Sequence, residues 1–319
     1  MTQITLTQTP LAADQNVQDR IGQVLGRRPH VFACLDANRI PNLPEMLDSD
    51  GLPHLCLFQG ELAETAGDLA PWLVQLGPDD RFLAQLLTSH GADASNPFGF
   101  LEAEAGIFIH SDMSIGQLHR HLRRFLRVRS PDDRTFLFRF WEPAIAVAYF
   151  GGLDQRPALI DRWFRSREGG TISQIVITDP VSGAPGLRGV TPHGIDPAAP
   201  PPSGAFMLSD EDLVRFRGVQ LDKDATQIAA RLTQTFPEAA AAVPGGAMDA
   251  FTRRSMSRMM QYGFQRKSAL FTLLAWELHY GPFFEKSDPD GKLYALISDA
   301  APQNEKFERL KQRMVALGR

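Results

Sequence analysis

Thirty residues, Asp179 to Leu208, hold seven prolines and five glycines, including the run Pro200-Pro201-Pro202. Proline removes backbone donors and glycine lacks conformational restraint, so such a stretch is expected to sustain neither a helix nor a central strand. It reads as a linker between lobes or as a long ordered surface excursion. It also parts regions of different character. Residues 1–209 carry 17 basic and 23 acidic side chains, a charge of −6, whereas residues 210–319 carry 16 and 14, a charge of +2. The organisation expected is a flexible lead-in over 1–27, a mixed lobe over 28–178, the segment 179–208, and a helical lobe over 209–319.

In the mixed lobe, Val31–Leu35, His54–Phe58, Ala105–Ile109 and Ser173–Thr178 read as strands. A short helix runs from Pro41 through Leu47, with proline in its first turn. Glu61–Leu76 and Arg81–His90 read as helices separated by Gly77-Pro78-Asp79-Asp80. Ser114 and Gln117 form a capping box that opens another helix. Arg127–Arg129 and Thr135–Phe140 flank the turn residues Ser130-Pro131-Asp132-Asp133 and suggest a hairpin. Helices follow near Ser209–Phe216, Asp224–Phe236, Ala247–Tyr262, Lys267–Tyr280 and Asn304–Leu317; the fourth is apolar nearly all round and should be buried. The fold class expected is α+β: a small mixed sheet flanked by helices, followed by an all-α C-terminal lobe.

Most function classes are excluded by what is missing. With 43 % hydrophobic and 22 % charged residues and a net charge of −4, the chain is globular in composition, and its global charge gives no case for a nucleic-acid or polyanion binder. Residues 1–15 contain no secretory signal, and the longest apolar runs, such as Pro143–Phe150, are too short to span a bilayer, so a cytoplasmic protein is expected. Cys34 and Cys56 make neither a disulfide framework nor a zinc spacing. His119 and His121 are two apart on a helix and cannot chelate one ion together. Asp288-Pro289-Asp290-Gly291 has its glycine too early for a calcium loop and reads as a turn. No phosphate loop, dinucleotide fingerprint, nucleophile elbow or metalloprotease motif occurs. No metal and no cofactor are expected.

The strongest pattern is the helix opened by Ser114. Ile115, Leu118, Leu122, Phe125 and Leu126 form its apolar face, while Arg120, Arg123, Arg124 and Arg127 recur as a stripe on the other side. Arg129, Arg134 and Arg139 follow. The stripe is either a solvated basic face paired with acids such as Asp132 and Asp133, or a docking surface for an anion or a protein.

The same residues carry a resemblance. Leu35-Asp36-Ala37, Leu57-Phe58-Gln59-Gly60, Leu69-Ala70-Pro71-Trp72-Leu73-Val74, the run from Leu118 to Leu126 and Arg134–Pro143 together resemble the adaptor/chaperone family of type VI secretion effectors. The likeness covers about Val31 to Arg165 and continues loosely through Tyr262-Gly263-Phe264 and Tyr280–Phe284. The family's Asp-Pro-Arg turn stands here as Glu142-Pro143-Ala144, and the proline-rich insert is unlike a minimal member. The resemblance implies a non-enzymatic adaptor in a Gram-negative cytoplasm. Its partners would be the N-terminal region of a toxic effector and the valine–glycine-repeat spike protein onto which that effector is loaded. Arg120, Arg123, Arg124, Arg127, Arg139 and Trp141 would then bind the partner. Met248, Met256, Met259 and Met260 suit either a partner surface or ordinary core packing. The alternatives are a hydrolase drawing on Asp36, His119 and Glu142, or an anion- or nucleotide-binding module built on the arginines.

Overall fold

The computed structural model describes residues 2–12, 15–89, 99–154, 156–179, 185–196, 198–200, 206–244 and 247–318. By its internal contacts the chain divides into Met1–Phe216 and Arg217–Arg319. His90, at the end of one expected helix, and Pro201-Pro202 lie outside the described residues.

The first unit is built on a seven-stranded sheet. Its strands are β1 (Gln3–Pro10), β2 (Val31–Asp36), β3 (His54–Cys56), β4 (Pro71–Leu76), β5 (Gly106–Ser111), β8 (Ile172–Thr178) and β9 (Gly186–His193), in the order β1-β9-β8-β5-β2-β4-β3. Every pairing is antiparallel, so the sheet is neither small nor mixed. A separate hairpin joins β6 (Arg127–Arg129) to β7 (Thr135–Leu137), as the turn residues indicate. The helices are α1 (Val17–Leu25), α2 (Leu43–Ser49), α3 (Glu61–Ala66), α4 (Arg81–Leu86), α5 (Ile115–Arg123), α6 (Pro143–Phe150) and α7 (Pro157–Phe164).

Strand alternation sorts the core into two layers. In β2, Phe32 and Cys34 face a cluster that includes Leu118 and Leu122 of α5, Tyr149 and Phe150 of α6, and Trp163 of α7. Val31, Ala33 and Leu35 face the opposite cluster, with Val24 of α1, Leu47 of α2 and Phe82 of α4. A strand covered on both faces reads as a continuous apolar run, and β2 is buried along its whole length.

Three expectations are corrected here. The segment 1–27 is structured: β1 pairs with β9 from Gln3 to Pro10, and α1 begins at an Asn16 cap. Residues 61–76 are not one helix. Gly67 ends α3, and Pro71 opens a strand that pairs with both β2 and β3; proline is tolerated as a strand's first residue, and tertiary pairing overrides local propensity. The proline-rich segment contains β9, which lies between β1 and β8. Its one proline, Pro192, falls beyond the Leu187–Val190 stretch that pairs with β8, so no inner ladder bond is lost.

An aromatic cluster holds α5, the hairpin, α6 and α7 together. Trp163 stacks on Phe125 at a centroid separation of 3.8 Å and meets Phe138, Phe140, Tyr149, Phe150 and Phe206 at 5.2–6.2 Å. Its indole N–H donates to the Tyr149 hydroxyl at 2.9 Å. Phe206 arrives with the returning chain, where Leu208 N–H donates to the Arg129 carbonyl. His121 locks α5 to the same cluster by donating from Nε2 to the Trp163 carbonyl at 2.7 Å. Neither α6 nor α7 was expected from the sequence: each is only eight residues long and starts at a proline, and α6 is apolar throughout, with no helical period to mark it.

The second unit is helical, as expected. Helix α8 (Asp210–Thr235), whose residues 210–216 fall in the first unit, runs unbroken where two helices were anticipated; Gly218 costs about 1 kcal/mol in a helix and does not by itself end one. Then follow α9 (Pro237–Ala241), α10 (Met248–Gln261), α11 (Lys267–Tyr280), α12 (Lys292–Ser298) and α13 (Gln303–Ala316). Leu270, Leu273 and Leu274 of α11 lie in the unit's core with Met256, Met259 and Leu310. Asp288 forms the expected turn, accepting from the backbone N–H groups of Asp290 and Leu293, and Arg313 grips its carboxylate at 2.6–2.8 Å. The Arg313 hydrogen bonds hold that carboxyl well below the usual carboxylate range.

Truncating Trp163 to Ala should lower the stability of the first unit by about 3–5 kcal/mol, with Trp163→Phe costing less. Urea unfolding followed by circular dichroism measures this; equal stability of Trp163→Ala and the parent would deny the cluster its role. A second expectation concerns acid. Burial holds the His121 pKa down to about 4, against 6.5 for a free imidazole. Stability from this group is present above pH 6.5 and lost as pH falls toward 4, because the unfolded chain takes up the proton first. The loss amounts to about 3 kcal/mol. Burial lowers His110 and His119 in the same direction. Urea midpoints at pH 7.5 and pH 4.5 should therefore differ less in His121→Gln than in the parent.

Candidate functional site

Helix α5 is placed by its two ends and its apolar face. The capping box is formed: Ser114 Oγ accepts from Gln117 N–H, and Gln117 Oε1 accepts from Ser114 N–H at 3.0 Å. Leu118 and Leu122 are fully buried, which turns the arginines outward. The helix ends at Arg123, with Arg124 as its cap residue, and Arg127 already belongs to β6. The four-arginine stripe is therefore not one helical face. The chain tightens into turns at Arg124–Leu126, which carries Phe125 and Leu126 into the core and hands Arg127 to the hairpin.

The expected site residues separate by their partners. Arg120 makes a bidentate pair with Glu168 at 2.7–3.0 Å, and each holds the other in its charged form. Arg123 donates to the Leu57 carbonyl at 3.2 Å, and His119 bonds the Cys56 carbonyl at 2.8 Å, so both tie α5 to the end of β3. Arg139 reaches Asp36 at 2.6 Å and Glu142 at 3.6 Å. Asp36 is almost wholly buried, so this pair ties the hairpin's exit to β2. Trp141 is 1 % exposed and cannot anchor a partner directly; it packs edge-on to Phe140. Arg124 and Arg127 differ from these. Neither side chain makes a hydrogen bond or ion pair among the described residues.

Arg124 and Arg127 line a concavity of about 310 Å³ together with Phe125, Arg129, Arg162, Arg167 and Phe206. Burial, followed by the nearby charges of Arg167 and Arg162, lowers the Arg124 pKa. The expected acids do pair, but with other arginines: Asp132 with Arg134 and Asp133 with Arg129, both at the exposed hairpin tip. Arg162 and Arg167 were not singled out from the sequence, being more than thirty residues from the stripe. The basic run Arg162-Trp163-Phe164-Arg165-Ser166-Arg167 was the available signal. Within it, Arg165 is structural, clamped on Asp161 at 2.6–2.8 Å and on the carbonyls of Ala199 and Pro200.

Of the residues named for a hydrolytic site, Asp36 and Glu142 share Arg139, while His119 bonds the Cys56 carbonyl. Among the described residues, no three His, Cys, Asp or Glu side chains gather as metal ligands, and no helix is long and apolar enough to cross a membrane. In the second unit, Met248, Met256 and Met259 are core residues. Beside them lies a mainly apolar groove of about 730 Å³, bordered by Val243, Phe251, Leu278 and Phe283. At its base Arg258 contacts Glu277 at 2.7 Å and Glu285 at 2.5 Å.

No curated protein and no solved structure matches the chain. Residues 31–158 match DUF4123, a domain of unknown function. The match begins with β2 and takes in α5, the hairpin and α6; Arg162, Arg167, Phe206 and the whole second unit lie outside it.

Proposed function

We propose that this protein is a non-enzymatic adaptor of type VI secretion, acting in the cytoplasm of a Gram-negative bacterium. It binds the N-terminal region of a toxic effector and helps load that effector onto the valine–glycine-repeat spike protein. The domain match carries this reading, because DUF4123 is associated with type VI effector adaptors. The arrangement of α5 and the hairpin supports it: the matched segment ends in a well-packed platform that presents arginine side chains rather than an assembled catalytic group. Arg124 and Arg127 are the open part of the docking face, flanked by Arg120, Arg123 and Arg139, which have partners within the fold, with Trp141 supporting it from the core.

The effector encoded beside this protein, or its N-terminal region alone, should co-purify with it from co-expressing cells. Deleting the adaptor should remove that effector from spike complexes while leaving the spike itself assembled. The purified protein should hold no stoichiometric metal by elemental analysis. Full loading of the effector in the deletion strain would overturn the adaptor reading.

A further inference from the structure

The concavity between α5, β6 and α7 brings five arginines together. Arg124 caps α5, Arg127 and Arg129 stand on β6, Arg162 lies in α7 and Arg167 follows it. Two features show a positive surplus. Arg124 and Arg127 have no carboxylate within 4 Å among the described residues. The Arg129–Asp133 pair is exposed on both sides, 66 % and 81 %, and so contributes little. Packing forces the charges together: Phe125, between Arg124 and Arg127 in sequence, is stacked under Trp163, and Phe206 closes edge-on against it. Glu168, whose charge opposes the effect of Arg162 and Arg167 on Arg124, is itself taken by Arg120. Like charges at this spacing repel, and an anion entering the cavity relieves that repulsion.

We infer that this pocket binds the carboxylates of an acidic peptide segment. The inference rests on the adaptor reading for the source of that segment, an acidic stretch of the effector. Guanidinium forks match carboxylates two bonds at a time, and a half-buried arginine such as Arg124 does so with little competition from water. A nucleotide suits the site less well. Phe125 is covered by Trp163 on one face, is met at right angles by Phe206, and is 1 % exposed, so its ring offers no face to a base. Glycine-rich phosphate loops are absent from the sequence.

Fluorescence anisotropy with labelled hexaglutamate, and hexaglutamine as control, tests the pocket without the effector. The full chain should bind hexaglutamate at least tenfold more tightly than hexaglutamine. Raising salt from 50 to 200 mM should weaken binding. Arg124→Gln with Arg127→Gln should reduce affinity tenfold or more while circular dichroism is unchanged. If that pair disturbs the fold, the exposed Arg127→Gln alone should still give a reduction of about threefold. No preference for hexaglutamate, or equal binding by a folded double variant, would overturn the inference. So would displacement of the peptide by inorganic phosphate or ATP at lower concentrations than unlabelled hexaglutamate. Capture of the effector's N-terminal region is run in parallel. Equal capture by parent and double variant sinks the pocket and leaves the adaptor reading standing. Hexaglutamate binding without any effector capture keeps the pocket and sinks the adaptor reading.

Discussion

The stacking of Trp163 on Phe125 is the contact on which the first unit's functional face depends. It joins α7 to the end of α5, and the surrounding rings add the hairpin, α6 and the returning chain at Phe206. Aromatic pairs contribute both burial and a preferred geometry, so the cluster fixes orientation as well as proximity. Its polar atoms are largely accommodated, through the Trp163–Tyr149 hydrogen bond and the His121 bond to the Trp163 carbonyl. The Trp141 indole N–H and the His121 Nδ1 are exceptions, buried with no hydrogen-bond partner among the described residues.

Around that cluster the arginines take two roles. Arg123, Arg139 and Arg165 act as ties between elements that are distant in sequence, through Leu57, Asp36, and Asp161 with the carbonyls near Ala199. Arg156 does the same for the start of α8: it grips buried Asp212, which also accepts from Ser209. Burial pushes the Asp212 carboxyl up, and these hydrogen bonds more than reverse it, so the net shift is downward. Breaking such a buried pair from one side costs about 3–5 kcal/mol. Arg124 and Arg127 have no such internal duty, and this difference marks them as the side chains available to a partner.

The second unit follows another logic. Its core is apolar helix against helix, yet Arg258 is held between Glu277 and Glu285, both nearly inaccessible to solvent. Phe283, beside this network, is exposed, lies under the Arg258 guanidinium, and has a left-handed backbone at φ 61°. A non-glycine residue in that conformation is uncommon and is retained only where its surroundings hold it.

The sequence by itself determined the elements whose signals are local. The Ser114–Gln117 capping box, the turn at Ser130–Asp133, the continuously apolar β2 strand and the apolar helix α11 form where they do because their residues favour those conformations in isolation. It also carried the residues over which 31–158 match a domain of unknown function. Tertiary structure alone decided the rest. Trp72–Leu76 became a strand because β2 and β3 offered ladders on both sides, and Gly186–His193 became an inner strand because its proline fell outside the β8 pairing. The site shows the same division. Helical spacing located Arg120, Arg123 and Arg124, but which arginines are occupied depends on Glu168, Asp36 and the Leu57 carbonyl, brought in from elsewhere in the chain. Arg162 and Arg167 join Arg124 only because a tryptophan between them stacks on the ring of Phe125. Periodicity reports which face a residue occupies, and only packing decides what stands opposite it.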